Sequence, residues 1–110
     1  MAHYLVSAKP KWDRLEQLAE RVRNGEVESM QPFGQALDES MRGARLRGPD
    51  EAVWEEEDYC RPPLKMEREA VLDDYFESIE VERVEPGEGW AEISDLPKLW
   101  DSVENASLNE

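Results

Sequence analysis

Cysteine and histidine are nearly absent from this sequence, since Cys60 and His3 are the single examples of each among 110 residues. One cysteine excludes an internal disulfide, and the chain has no CxxC pair or Cys/His set to hold a structural zinc ion. The acidic residues also lack the alternate spacing around a glycine that is typical of a calcium loop. We therefore predict no metal site and no cofactor.

Long apolar runs are missing as well. No stretch of the sequence approaches the ~20 apolar residues that a membrane-spanning helix needs. The first residues lack the basic region and apolar core of a secretory signal peptide. Together with the cysteine content, these absences predict a soluble, cytoplasmic protein without a membrane partner.

Basic charge is scarce. The chain carries 13 basic and 27 acidic residues, which gives a formal net charge of −14. Phosphate backbones would repel such a chain, so we predict no nucleic-acid partner. The same charge permits a basic protein partner, and the lysine-poor, acid-rich composition also suits a salt-rich environment.

The start of the chain predicts a strand followed by a helix. Residues 3–8 are rich in β-branched and aromatic side chains that are apolar on both alternating faces, as in a strand covered on two sides. Apolar residues then recur at helical spacing between Pro10 and Arg23, and an Asn-Gly pair supplies a helix end. Residues 26–42 fit either a short helix or an irregular strand, and this choice stays open.

The rest of the chain predicts a hairpin, a second helix and a last strand. Turn residues at 48–50 join the segments 42–46 and 52–54 as a β-hairpin. An apolar stripe at helical spacing predicts a helix that begins near Pro63, and alternation over residues 79–84 predicts a strand with one wet face.

The segment after the last strand is rich in large apolar side chains between Trp90 and Trp100. We expect these side chains to pack on the body of the protein or on a partner subunit. Apolar content falls over residues 101–110, which predicts a frayed acidic tail. Residues 1–100 are predicted to form a single domain, because the chain is long enough for one core and too short for two.

The predicted elements follow the βαββαβ order. This order predicts an α+β domain that resembles the ferredoxin-like sandwich, with an extra helical or irregular insertion after the first helix. The resemblance extends to the dimeric α/β-barrel version of that architecture. It implies a homodimer, since helices on one sheet face leave the other face open. The resemblance carries no site residues.

The most informative stretch is residues 53–63, where four consecutive acids follow a strand start. If the strand continues to Asp58, Glu56 and Asp58 share one face while Glu55 and Glu57 share the other. Two carboxylates in one covered volume cannot both ionise cheaply, so one has a raised pKa and can act as a general acid or base. Glu56, Glu57 and Asp58 are therefore the candidate catalytic residues. If the strand ends near Glu55, the remaining acids are solvated beside the second helix.

Aromatic and polar residues near this stretch predict a ligand pocket. If the first strand and the hairpin strand are neighbours, the pocket has five candidate residues: His3, Tyr4, Trp54, Tyr59 and Cys60. Cys60 is also a candidate nucleophile if His3 lowers its pKa. The acids upstream should raise that pKa, so a packed thiol is the simpler interpretation.

Three classes of function fit these observations. We rank first a small homo-oligomeric binding or accessory protein with a small-ligand pocket. The second is an enzyme that uses a carboxylate from residues 55–58 as acid or base. The third is an acidic module that binds a basic protein partner. The binding protein ranks first for two reasons. The sequence has no catalytic motif, and the apolar strand and the tryptophan-rich tail are explained by packing within a fold or an oligomer.

Overall fold

Four strands and five α-helices make up the part of the chain that the computed structural model describes, which is residues 2–106 and residue 108. The strands are β1 (Ala2–Pro10), β2 (Arg45–Arg47), β3 (Glu51–Asp58) and β4 (Phe76–Val84). The helices are α1 (Leu15–Arg23), α2 (Gly34–Arg42), α3 (Lys65–Glu67), α4 (Asp73–Tyr75) and α5 (Glu88–Glu92). A π-helical turn, Arg68–Leu72, joins α3 to α4. The protein is thus a compact α+β domain.

The strands form one open antiparallel sheet with the order β2-β3-β1-β4. β1 pairs with β3 along its length, from Ala2 opposite Asp58 to Ala8 opposite Ala52, and with β4 on its other side. Its position inside the sheet explains its composition, because a strand covered on both faces carries apolar side chains on both.

The helices cover one face of the sheet. Trp54 of β3 is fully buried there, and its ring lies 5.1 Å from that of Phe76 between centroids. The apolar stripe of α1 packs against the same core, as its helical spacing predicts; its members are Leu15, Leu18, Ala19 and Val22. Burial of these apolar and aromatic groups supplies the main driving force for folding.

The segment after β4 covers the other face. Ile93, just after α5, packs with Leu5, Val53 and Val84 in a second apolar cluster. Trp100 instead packs with the core on the helical side, and its indole N–H donates to the carbonyl of Met41. Of the two expected positions for this segment, the structure shows packing on the body of the same chain.

Several element boundaries differ from the sequence prediction. Pro10 ends β1 opposite Phe76 instead of opening the first helix, since a strand end tolerates a residue without an N–H donor. β4 begins at Phe76, before the alternating segment 79–84. The open choice for residues 26–42 is decided by α2, a regular helix.

Gly34 opens α2 because the chain passes very close to it. A Cβ atom at this position would lie 2.5 Å from the carbonyl oxygen of Glu28 and 2.6 Å from that of Val27. Both neighbours are backbone atoms that cannot rotate away. Glycine is therefore the residue that lets the loop before α2 pack against the helix start.

The predicted frayed tail covers residues 101–110. Within it, Ala106 and Leu108 are buried against the core on the helical side of the sheet. Residues 107, 109 and 110 lie outside the described part of the chain.

Candidate functional site

A cavity of about 440 Å³ opens beside the outer edge of β3. β2 pairs with β3 only between Glu51 and Val53, and α2 lies beside the rest of that edge. The Ser40 hydroxyl of α2 donates to the carbonyl of Glu55 at 2.7 Å and fixes the helix there. The walls come from β1, the start of α2, the end of β3, the loop that follows it, α3 and α5.

The consecutive acids of β3 point alternately to the two faces of the sheet. The strand continues to Asp58, so the interpretation in which it ends near Glu55 is wrong. Glu55 and Glu57 share a face with His3, whereas Glu56 and Asp58 share the face that packs against the helices. Glu55, Glu56 and Asp58 are at most 4% exposed, so the run is mostly buried rather than solvated.

Glu55 is held by backbone amides at the start of α5. Its carboxylate accepts hydrogen bonds from the N–H groups of Gly87 at 2.8 Å and Trp90 at 3.0 Å, and His3 Nδ1 lies 3.0 Å away. Burial by itself raises the pKa of Glu55, but these hydrogen bonds outweigh burial and lower the pKa below its ordinary value. Glu55 therefore joins α5 to the sheet as an ionised structural group.

Glu56 has a different environment. One carboxyl oxygen accepts a hydrogen bond from the Trp54 indole at 3.0 Å, and the other has no partner among the described residues. Burial, followed by the negative charge of Glu67, raises the pKa of Glu56 well above its ordinary value. Its surroundings therefore favour the protonated form.

Asp58 and Glu67 lie close to each other in the wall of the cavity. Asp58 accepts hydrogen bonds from the amides of Leu64 at 2.6 Å and Cys60 at 3.1 Å. Burial raises the pKa of Asp58, but hydrogen bonds from Glu67 and these amides lower it overall. Burial, and then the hydrogen bond with Asp58, raise the pKa of Glu67 to about 7. The second Glu67 oxygen has no partner within the described chain.

Cys60 belongs to the same wall. Its Sγ lies 3.8 Å from Glu67 Oε1, and burial, together with the charges of Asp58 and Glu67, raises the thiol pKa. His3, which the nucleophile hypothesis needs beside this thiol, instead lies within 3.8 Å of both Glu55 and Glu57. These surroundings favour an inert thiol over an activated nucleophile.

The cavity brings together five of the candidate residues from the sequence: His3, Glu57, Asp58, Tyr59 and Cys60. Glu56 is buried and does not line the cavity. Trp54 lies in the core, and Tyr4 packs against the same core on the helical face.

Glu67 was not among the candidates, although a signal for it exists. It stands three residues after Leu64 and four before Val71, both fully buried, so helical spacing places it on their apolar stripe. A buried acid on an apolar helix face is the informative pattern that charge counting along the helix overlooks. Glu39, Phe33 and Trp90 also line the cavity and come from segments that were not predicted to contribute to the pocket.

Comparison of the chain with protein-family models, with curated proteins and with solved structures finds no match. Across residues 2–106 and 108, none of the helices combines the length and the apolar character needed to traverse a bilayer.

Proposed function

We propose that the protein binds a small, positively charged organic ligand, such as an amine or a guanidine, in the cavity beside β3. The observation that carries this proposal is the charge of the lining. Four acids, Glu39, Glu57, Asp58 and Glu67, contribute to the wall beside Glu55, whose carboxylate accepts hydrogen bonds from backbone amides, and none of the described lining residues is lysine or arginine. A cation is the ligand charge that such a wall attracts.

The aromatic lining supports the same ligand class. Phe33, Tyr59 and Trp90 border the cavity, and the face of an aromatic ring attracts ammonium and guanidinium groups. The volume of about 440 Å³ lies in the range of ~300–1,000 Å³ that is typical of small-molecule sites. Tyr59 is 71% exposed, so its side chain is free to pack over a bound ligand.

Titration with a matched set of small molecules tests this proposal. Protein labelled with ¹⁵N would be titrated with agmatine and 1,4-diaminobutane, with 1,4-butanediol as the neutral isostere and butanoate as the anionic one. We expect saturable amide shifts at the cavity residues with the two cations alone. Equal shifts with butanediol, or shifts spread over the whole acidic surface, would contradict the proposal.

Substitutions locate the binding site. Glu57→Gln and Glu39→Gln each remove one charge at the rim, and each should raise the Kd of the cation about two- to fivefold, as for a partly exposed ion pair. Glu20→Gln on the exposed surface of α1 is the matched control and should leave the Kd unchanged. An equal loss in all three variants would mean that only net charge attracts the ligand.

We also infer that the α+β domain is a ferredoxin-like sandwich with α2 as the insertion. The βαββαβ succession and the strand order β2-β3-β1-β4 support this inference.

The homodimer stays a prediction. The apolar surface that we expected a second subunit to cover, around Leu5 and Val53, is covered by Ile93 of the same chain. Sedimentation velocity at micromolar concentration distinguishes the monomer from the dimer.

The two other functional classes also stay predictions. An enzyme would be indicated by turnover of a bound amine, and an acidic module by salt-sensitive capture of a basic protein. Neither class accounts for the combination of acids and aromatic rings around one enclosed volume as directly as cation binding does.

A further inference from the structure

Three potential metal ligands meet in the wall of the cavity. Asp58 ends β3, Cys60 follows in the loop, and Glu67 reaches back from α3. One carboxylate oxygen of each acid and the sulfur of Cys60 all lie within 4.8 Å of one another. All three residues line the cavity, so an ion could reach them from solvent.

The second observation is a set of buried oxygens without partners. Glu56 and Glu67 are 1% and 0% exposed, and Oε2 of each has no hydrogen-bond partner among the described residues. Glu56 stands two residues before Asp58 on the same face of β3. A buried carboxyl oxygen without a hydrogen-bond partner is costly, and either a proton or a bound cation reduces that cost.

No basic side chain supplies the missing positive charge. In the part of the chain that the structure describes, no ion pair joins lysine, arginine or histidine to Glu56, Asp58 or Glu67. Buried charges in proteins are normally paired or coordinate a metal. The cluster has the ligands of a metal site and none of the counter-charges of a salt-bridge network.

We propose that Asp58, Cys60 and Glu67 bind a divalent transition-metal ion of the zinc type, with Glu56 as a buried neighbouring acid. Around a tetrahedral Zn²⁺, bond lengths of about 2.3 Å to sulfur and 2.1 Å to oxygen place these two ligand atoms about 3.6 Å apart. Cys60 Sγ and Glu67 Oε1 lie 3.8 Å apart. This pair therefore reaches zinc geometry with a shift of a few tenths of an ångström.

The donor set also selects among metals. A thiolate favours Zn²⁺ and its neighbours over Mg²⁺ and Ca²⁺, which prefer oxygen ligands alone. Three protein ligands leave a fourth tetrahedral position for water or another small molecule. The sequence predicts no metal because it lacks zinc-finger and calcium-loop spacings, whereas this set combines the last residue of β3 and one residue of the following loop with a helix residue downstream.

Cobalt substitution tests the site in the full chain. Co²⁺ bound by a thiolate gives a near-ultraviolet charge-transfer band, and Cys60 is the single possible source of that band in this sequence. We expect the band to saturate at about one Co²⁺ per chain, to disappear when Zn²⁺ displaces the cobalt, and to persist in excess Mg²⁺. The organic-cation titration is independent of this measurement, so the two proposals fail separately.

Matched variants decide whether these residues hold the ion. Cys60→Ser should abolish the band, and both Cys60→Ser and Glu67→Gln should weaken Zn²⁺ binding in equilibrium dialysis at least about tenfold. Glu69→Gln, which changes an exposed acid on the same helical segment, should leave binding unchanged. Circular dichroism confirms that each variant is folded, and the conservative Cys60→Ser change keeps the test available if Glu67→Gln does not fold.

Two results would overturn the proposal. The first is Co²⁺ binding without a thiolate band. The second is Zn²⁺ binding of equal strength in the wild type, Cys60→Ser and Glu69→Gln, which would show adventitious ions on an acidic surface.

Discussion

Glu55 and Glu56 are adjacent in β3 and carry the same side chain, but their environments differ on the two faces of the sheet. Glu55 faces α5, where two backbone amides and His3 surround its carboxylate. Glu56 faces α3, where it interacts with other acids, and among the described residues only the Trp54 indole donates to it. Both side chains are at most 4% exposed. At Glu55 the hydrogen-bond donors outweigh the effect of burial on the pKa, whereas at Glu56 burial and the neighbouring acids outweigh the single donor.

The comparison separates a structural acid from a functional candidate. A buried carboxylate that accepts several N–H groups is stable as an anion and can join two elements of the fold. A buried carboxyl group among other acids is unstable as a bare anion and is stabilised when it binds a proton or a cation. The face with Glu56, Asp58 and Glu67 is therefore the face on which we place the metal site.

The largest effect is expected on the Glu55 side. In Glu55→Gln the amide NH₂ replaces one acceptor oxygen, so a donor at Gly87 or Trp90 loses its partner. Loss of a charge-assisted hydrogen bond next to a buried donor should lower the free energy of unfolding by about 2–3 kcal/mol. Urea unfolding at pH 7 measures this loss. Glu57→Gln, on the same face but partly exposed, is the control, and an equal loss in both variants would refute the anchoring role.

The pH dependence of stability tests the same group without mutation. The folded-state pKa of Glu55 is lowered, so its contribution is fully present above the ordinary glutamate pKa of about 4.3 and is lost as pH falls through the lower folded-state pKa. The difference in unfolding free energy between wild type and Glu55→Gln should therefore shrink towards acid pH. Urea titrations at pH 7, 5 and 3 measure it, and a difference that is constant across these values would contradict the ionised anchor.

A smaller effect is expected at Glu56, where hydrogen bonding rather than net charge determines the change in stability. In Glu56→Gln the side-chain oxygen keeps the Trp54 bond, and the new NH₂ group can donate to Glu67. We expect the metal-free protein to be unchanged or more stable by about 1 kcal/mol. Urea unfolding in the presence of a chelator measures this. A loss as large as that of Glu55→Gln would show that the two faces do not differ.

The smallest effect is expected for His3→Ala. The imidazole is one of three partners of Glu55 and is partly exposed, so its loss should cost about 0.5–1 kcal/mol. Thermal unfolding at pH 7 measures the change. A cost above that of Glu55→Gln would mean that His3, rather than the two amides, holds Glu55 in place.

Much of the fold follows from local patterns. The apolar stripe of α1 and the apolar composition of β1 predict their burial, because periods of 3.6 and 2 leave little choice of buried face. The end of β3 was undecided between Glu55 and Asp58, since an acid run is typical of a solvated segment. Pairing with β1 as far as Ala2 decides it, and that pairing depends on residues fifty positions away.

The site was only partly predictable for a related reason. Alternation along the strand places Trp54 and Asp58 on one face, but it cannot tell that Trp54 fills the core while Asp58 borders a cavity. The distinction depends on the helices, because α2 lies beside the strand edge and α3 brings Glu67 to Asp58. Tyr4 was predicted for the pocket and packs against the core for the same reason.

The sequence by itself determined that consecutive acids in one strand lie on opposite faces, because side chains in a strand alternate with a period of two. Only the tertiary structure decided which acid meets donors and which meets other acids. The amides for Glu55 come from the turn and helix at residues 87–90, and the like charge that raises the pKa of Glu56 comes from Glu67. Hydrogen bonds and charge repulsion act over a few ångströms in space, so these partners are set by folding and not by neighbours along the chain.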